Sequence, residues 1–297
     1  MYNNGADVLR ICTEENISIS DLALKNEAAL TERSPQEIWQ DLKDRCKVMW
    51  DACNKTLETP IPSLSGLSGG DANRVNNYNK ETKGGLCGQA LIKGIAYAMS
   101  CFEVNTSMGL IVAAPTAGSC GIVPGAIFAA AQSCDATEEK VLKALATAAC
   151  IGQIVTRNAT VSGAEGGCQA ECGTASAMAA AGIVEMLGGS PDQSFEAAGM
   201  AFKNVMGLVC DPVAGLVELP CEKRNAIGVA NAFLCADISL AGIRSIIPFD
   251  EVVDAMYKVG KAMPYTLRET ALGGLAATPT GKKIKKNLSS CAACGRC

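Results

Sequence analysis

Histidine is absent from the 297-residue chain. That removes the imidazole base of Ser-His-Asp and Cys-His nucleophile systems, and it removes histidine ligands for zinc. A general base must then be Lys, Glu, Asp, Tyr or Cys, or must come from another chain. Aromatic residues are scarce at 4%, so Ala, Val, Ile, Leu, Met and Cys must fill the core. An excess of positive charge is also missing: 26 basic and 30 acidic residues give a formal net charge of −4. That balance offers no platform for nucleic acid. No long, strongly apolar run is present either. Val104 to Cys134 carries no charge, but Pro115, Pro124, Gly118, Gly121 and Gly125 interrupt it. A membrane-spanning helix needs about 20 predominantly apolar residues, so a buried loop leading into a buried helix is expected here, and no membrane span. The opening MYNNGADVLR has no apolar h-region, so a secretory signal is not expected and a cytoplasmic location is.

What the chain does have is 48% apolar residues, 30 glycines and 16 cysteines. A sizeable core follows, and wholesale disorder is excluded. In a reducing cytosol the cysteines are not a disulfide framework. Some pack as small hydrophobes, and the others call for a metal or catalytic explanation. The periodicity predicts a mainly helical, all-α fold with small-residue-rich helices that are apolar nearly all round and therefore buried. Ser34-Pro35-Gln36-Glu37 opens a helix as N-cap, first helical position and N3 acid, reaching about Leu57. Ser63 to Arg74 reads as a Gly/Ser loop, and 84–102 as a loop plus a helix. Further helices are expected from Thr137 to about Arg157, 166–187, Ser190 to about Met206, 221–247 and 249–263. Three regions follow: an N-terminal helical segment with its loop over 1–80, a catalytic domain over 81–281, and a basic, cysteine-rich tail over 282–297.

Four segments could carry chemistry. In AAPTAGSCGIVPGA, Thr116, Gly118, Ser119, Cys120 and Gly121 stand where a turn leads into a helix. Backbone N–H groups and hydroxyls there suit a substrate carboxylate, although a tight structural loop would look the same. In GAEGGCQAEC, Cys168 lies beside two glycines at a helix start, which favours a thiolate, and Cys172 follows one turn later. Two packed thiols on an Ala-rich helix are the alternative. In GLVCDPVAGLVELPCEKRN, Cys210 and Cys221 each stand next to a proline-fixed backbone, as rigid cluster ligation requires. Arg224 and Asn225 follow and could hold a carboxylate. Finally, Cys291, Cys294 and Cys297 form C-x-x-C-x-x-C, which lacks the fourth ligand of a ferredoxin or zinc site.

Taken together, LSGLSGGDA (64–72), APTAGSCGIVPGA (114–126), SGAEGGCQAECGTASAMAAAG (162–182), CDPVAGLVELPCEKRNA (210–226) and LRETALGGLAATPTG (267–281) resemble the iron–sulfur-dependent L-serine dehydratase family, in the α chain of its two-subunit form. The resemblance spans about Ile38 to Gly281. It implies a mostly helical fold and a [4Fe–4S] cluster held by Cys168, Cys210 and Cys221, with Cys172 a neighbour rather than a ligand. Three ligands on four irons leave one iron open to act as a Lewis acid on L-serine. It also implies a smaller β subunit whose Ser-Ser-His-Thr segment has no counterpart here, so that the base or a positioning group comes from a partner. Family members often end in a cysteine that reaches the site, which makes Cys297 a possible fourth ligand or tail inhibitor. Glu165, Lys203, Lys223, Arg224 and Arg268 are candidates for polar lining. The rival readings are a cluster-dependent L-cysteine desulfidase and a non-enzymatic iron–sulfur electron-transfer or scaffold protein.

Overall fold

The structure is a computed structural model that describes residues 1–293, with side chains to residue 290. The expectations for Cys294 and Cys297, and for the Cys291 side chain, fall outside the described residues. Thirteen α-helices follow one another: α1 Gly5–Glu15, α2 Ile19–Thr31, α3 Pro35–Lys55, α4 Asp71–Thr82, α5 Gln89–Thr106, α6 Ile122–Ser133, α7 Glu138–Asn158, α8 Gly163–Gly166, α9 Cys168–Met186, α10 Pro191–Asn204, α11 Cys221–Leu240, α12 Phe249–Ala262 and α13 Pro279–Ala293. The one β-type pairing among the described residues is an isolated parallel bridge between Cys210 and Arg268. The all-α expectation is met. Among the described residues no helix is long and apolar enough to cross a membrane.

Local chemistry explains most of the helix starts. Ser34 accepts from the Glu37 N–H while Glu37 Oε2 accepts from the Ser34 N–H at 2.9 Å, a complete capping box with Pro35 behind it. Ser190 and Gln193 repeat the device at α10, again followed by proline. Thr137 caps α7 by accepting from Lys140 N. Each such cap is worth about 1 kcal/mol.

Two expectations need correction. The loop from Ser63 ends at Gly70, and Asp71 already begins α4. This helix is polar all round and buries only Ala72 and Asn76, so it shows no apolar period. Its neighbours hold it: Ala72 N donates to Glu103 Oε1 at 3.1 Å, and Asn73 Nδ2 donates to the Leu57 carbonyl at 2.6 Å. The helix expected over 221–247 stops at Leu240, where Gly242 takes φ 87° and turns the chain away. Helix α13 covers 279–293 and packs on the turn Val213–Gly215 between Cys210 and Cys221.

Helix α9 is the hub. It packs against α6, α7, α10 and α11, and nearly every residue from Cys168 to Met186 is buried. Its Ala, Gly and Ser residues let neighbouring helices approach closely and leave the volume to larger partners such as Ile151, Phe202 and Ile127. Burial of all faces fixes α9 on every side, so the residues at its N-terminus start from a rigid base.

Candidate metal centre

Four segments meet at the N-terminus of α9. Cys168 is its first residue, preceded by Gly167 at φ 75°, a left-handed backbone that glycine adopts without strain. Cys210 arrives on the loop after α10 and is pinned on both sides: its N–H donates to the Leu267 carbonyl at 2.9 Å, and its carbonyl accepts from Glu269 N at 2.7 Å. Cys221 is the first residue of α11. All three thiols are buried. The fourth segment is the turn Ala117–Ser119 ahead of α6.

Cys168, Glu171 and Cys210 each present a ligand atom, and these atoms lie within 4.8 Å of one another, an arrangement able to hold a metal ion. Hydrogen bonds from the Cys172 and Cys210 thiols, and then the Arg224 guanidinium, pull the Cys168 thiol down to about 3. Arg224 Nη1 sits 3.3 Å from its sulfur. Cys210 and Cys172 are held up as thiols chiefly because they donate to that sulfur. Burial, and then the charge on Cys168, raises Cys221. Cys168 is thus the most acidic of four buried thiols and lies beside a guanidinium, the environment in which cysteine binds metal.

Arg224 is itself fixed. Nη1 also donates to the Val209 carbonyl at 2.9 Å, and Nη2 pairs with Asp211 Oδ1 at 2.8 Å. Asp211 Oδ2 in turn accepts from Leu275 N at 2.6 Å, which ties the 267–281 segment onto the Cys210 loop. Asn225 does the same for the turn before α6. Its Oδ1 accepts from Gly121 N at 3.0 Å, and its Nδ2 donates to the Gly118 and Cys221 carbonyls at 2.8 and 2.9 Å. Its carboxamide is thus engaged in bracing.

Of the turn residues, Thr116 and Ser119 face the centre. Their hydroxyls lie 3.0 Å apart, and Thr116 donates to Glu171 Oε1. A Cβ on Gly118 would stand 2.5 Å from the same Glu171 oxygen, so only glycine admits that carboxylate. The Cys120 thiol turns away into the core and donates to the Cys101 carbonyl at 3.9 Å. The other polar candidates are scattered. Glu165 is exposed on α8, and Lys203 Nζ is engaged with the Ser245 carbonyl at 2.6 Å. Lys223 Nζ bridges Asp71 Oδ2 and Glu222 Oε2 at 2.5 and 2.6 Å. Arg268 is the bridge partner of Cys210, and its buried Nε has no hydrogen-bond partner among the described residues.

Glu171 escaped the reading of the sequence. Burial and then the Cys168 charge raise its carboxyl to about 7, against the Thr116 hydrogen bond. The available signal was spacing: Glu171 stands three residues after Cys168, which on a helix puts the two on one face.

The profile of the "Serine dehydratase alpha chain" family matches residues 14–276. The chain is 49% identical to the "Probable L-serine dehydratase, alpha chain" of Bacillus subtilis (strain 168), over 97% of this chain and 95% of that one. It is 47% identical to the "L-serine dehydratase, alpha chain" of Peptoniphilus asaccharolyticus, over 97% and 98%. It is 36% identical to "L-serine dehydratase 2" of Escherichia coli (strain K12), over 93% of this chain but only 61% of that protein. Matches of this extent on both sides mean that the chain belongs to the serine dehydratase alpha chain family.

Proposed function

We propose that this chain is the α subunit of an L-serine ammonia-lyase, which converts L-serine to pyruvate and ammonia with a [4Fe–4S] cluster held by Cys168, Cys210 and Cys221. The observation that supports the reading is the pair of buried thiols Cys168 and Cys210, whose ligand atoms lie within 4.8 Å, with the buried Cys221 thiol near enough to feel the Cys168 charge. The donor set fits the cluster: soft thiolates, buried, with a cation near one sulfur and no oxygen-rich cage such as magnesium or calcium prefers. When bound, the cluster supplies a Lewis-acidic iron that makes the serine hydroxyl a feasible leaving group.

The chain's own residues do the rest on this side of the reaction. Arg224 offsets the negative charge gathered on the sulfurs. The Ser119 hydroxyl and the Gly118 N–H offer donors to the substrate, while Asn225 keeps that turn in place. The loop over 63–70 closes on the Cys210–Cys221 loop, with Ser68 Oγ donating to Glu218 Oε2 at 2.9 Å, and helps exclude water. Loss of water across Cα–Cβ leaves an enamine, which hydrolyses to pyruvate and ammonia.

A β chain completes the site. The chain has no histidine. Relatives named as α chains match it end to end, whereas the E. coli protein, whose printed name carries no chain designation, extends well beyond the match. Val217, exposed beside Gly118, offers an apolar edge that a protein cover would bury. The test is serine turnover by the α chain, reconstituted anaerobically, alone and mixed with β. Turnover should need the mixture. Equal rates for α alone would contradict the two-chain reading.

A further inference from the structure

A serine zwitterion brings a hydroxyl, a carboxylate and an ammonium, and the residues described so far account for the first two. We propose that Glu171 receives the α-ammonium of the substrate and so selects an amino acid over the corresponding hydroxy acid. The proposal rests on the serine-lyase reading of the site.

Three carboxylates lie near the thiols: Asp211, Glu171 and Glu269. Asp211 is consumed, one oxygen by Arg224 and the other by Leu275 N. Glu269 belongs to a largely exposed residue on the segment that covers the site. Glu171 is different. Its Oε1 is fixed by Thr116, which sets the orientation of the group. Its Oε2 accepts no hydrogen bond among the described residues and points toward Cys210. A Cβ built on Gly163 would stand 3.3 Å from that oxygen and 3.0 Å from Cys210 Sγ. Gly118 and Gly163 thus leave room beside the carboxylate that a side chain would fill, and Glu269 Oε2 stands 3.5 Å from the same point at Gly163, adding negative charge on the side an ammonium would take.

Electrostatics point the same way. The substrate carboxylate is repelled by Glu171, and it is drawn to Arg224 and the backbone donors of the turn. The ammonium is drawn to Glu171, the one oriented carboxylate with a free oxygen. Fixing two groups of opposite charge at different points, with the hydroxyl at a third, also fixes the hand of the amino acid. A charge-assisted hydrogen bond of this kind contributes enough to change affinity by roughly ten- to a hundredfold.

The experiment compares Glu171→Gln with the parent in the complete α–β enzyme, loaded anaerobically. Glutamine keeps the shape and the Thr116 partner but loses the charge. The probes are L-serine and 3-hydroxypropanoate, which lacks only the ammonium and is followed as a competitive inhibitor. KM for serine should rise by roughly ten- to a hundredfold, while the inhibition constant of 3-hydroxypropanoate and the iron content and visible spectrum stay as in the parent. Thr116→Val, which frees the carboxylate without removing it, should shift KM in the same direction by less. Equal weakening of both probes would overturn the assignment, because it would mean a collapsed site. A fall in kcat at unchanged KM would overturn it in favour of a proton-transfer role, and loss of iron in favour of a metal ligand. Failure of the parent enzyme to hold iron or consume serine would instead remove the lyase reading itself, so the two failures are told apart by the parent arm.

Discussion

Replacing Asn225 by alanine gives a large effect from a residue that need not touch substrate. Asn225 is fully buried and makes three hydrogen bonds, to Gly121 N, the Gly118 carbonyl and the Cys221 carbonyl, at 2.8 to 3.0 Å. A net contribution of about 1 kcal/mol per bond gives about 3 kcal/mol, and the Gly121 N–H left buried without a partner raises that toward 5 kcal/mol. With a urea slope of about 3 kcal/mol per M, the unfolding midpoint should fall by about 1 to 1.7 M. The same bonds tie the Thr116–Ser119 turn to the start of α11, so the variant should also lose iron faster and show a higher KM for serine. Asn225→Asp keeps the acceptor for Gly121 but sets a buried carboxylate against two carbonyl oxygens, and should destabilise at least as much at neutral pH. Equilibrium urea unfolding followed by far-UV circular dichroism reads the first effect. An unchanged midpoint for Asn225→Ala would refute the reasoning, since no other group takes over those three bonds.

Two further outcomes follow. Arg224→Ala leaves Asp211, only 3% exposed, without its ion partner, and should cost about 3 kcal/mol or more in urea unfolding. Arg224→Lys should recover part of that loss, because the charge returns without the fork that reaches Val209, Asp211 and Cys168 together. Helix α13 packs on the turn between Cys210 and Cys221. Removing the last seven residues, Cys297 among them, should shorten the lag before steady serine turnover, and an unchanged lag and spectrum would dismiss the tail as an inhibitor.

Much of this architecture is legible in the chain because its signals are local. Ser34 with Glu37, Ser190 with Gln193, and Thr137 mark helix starts by their own hydrogen bonds, and the folded caps match. The Ala-rich run of α9 announces burial on all sides. Helix α4 was not legible because tertiary partners, Glu103 and the Leu57 carbonyl, supply what its polar sequence lacks. At the centre, the cysteines stood out through their prolines and glycines. Glu171 did not, because a single acid on a helix normally marks its solvent face, and only the fold reveals that the turn at Thr116–Gly118 covers it. Asn225 looked like a carboxylate binder because its bracing role depends on a turn more than a hundred residues earlier.

Iron and acid-labile sulfide per chain, measured on anaerobically purified protein, test the central claim most directly. The parent and a variant lacking Cys291, Cys294 and Cys297 should both hold the metal, while Cys168→Ser, Cys210→Ser and Cys221→Ser should each lose it. A metal-free parent, or metal that disappears only with the three terminal cysteines, would contradict the account.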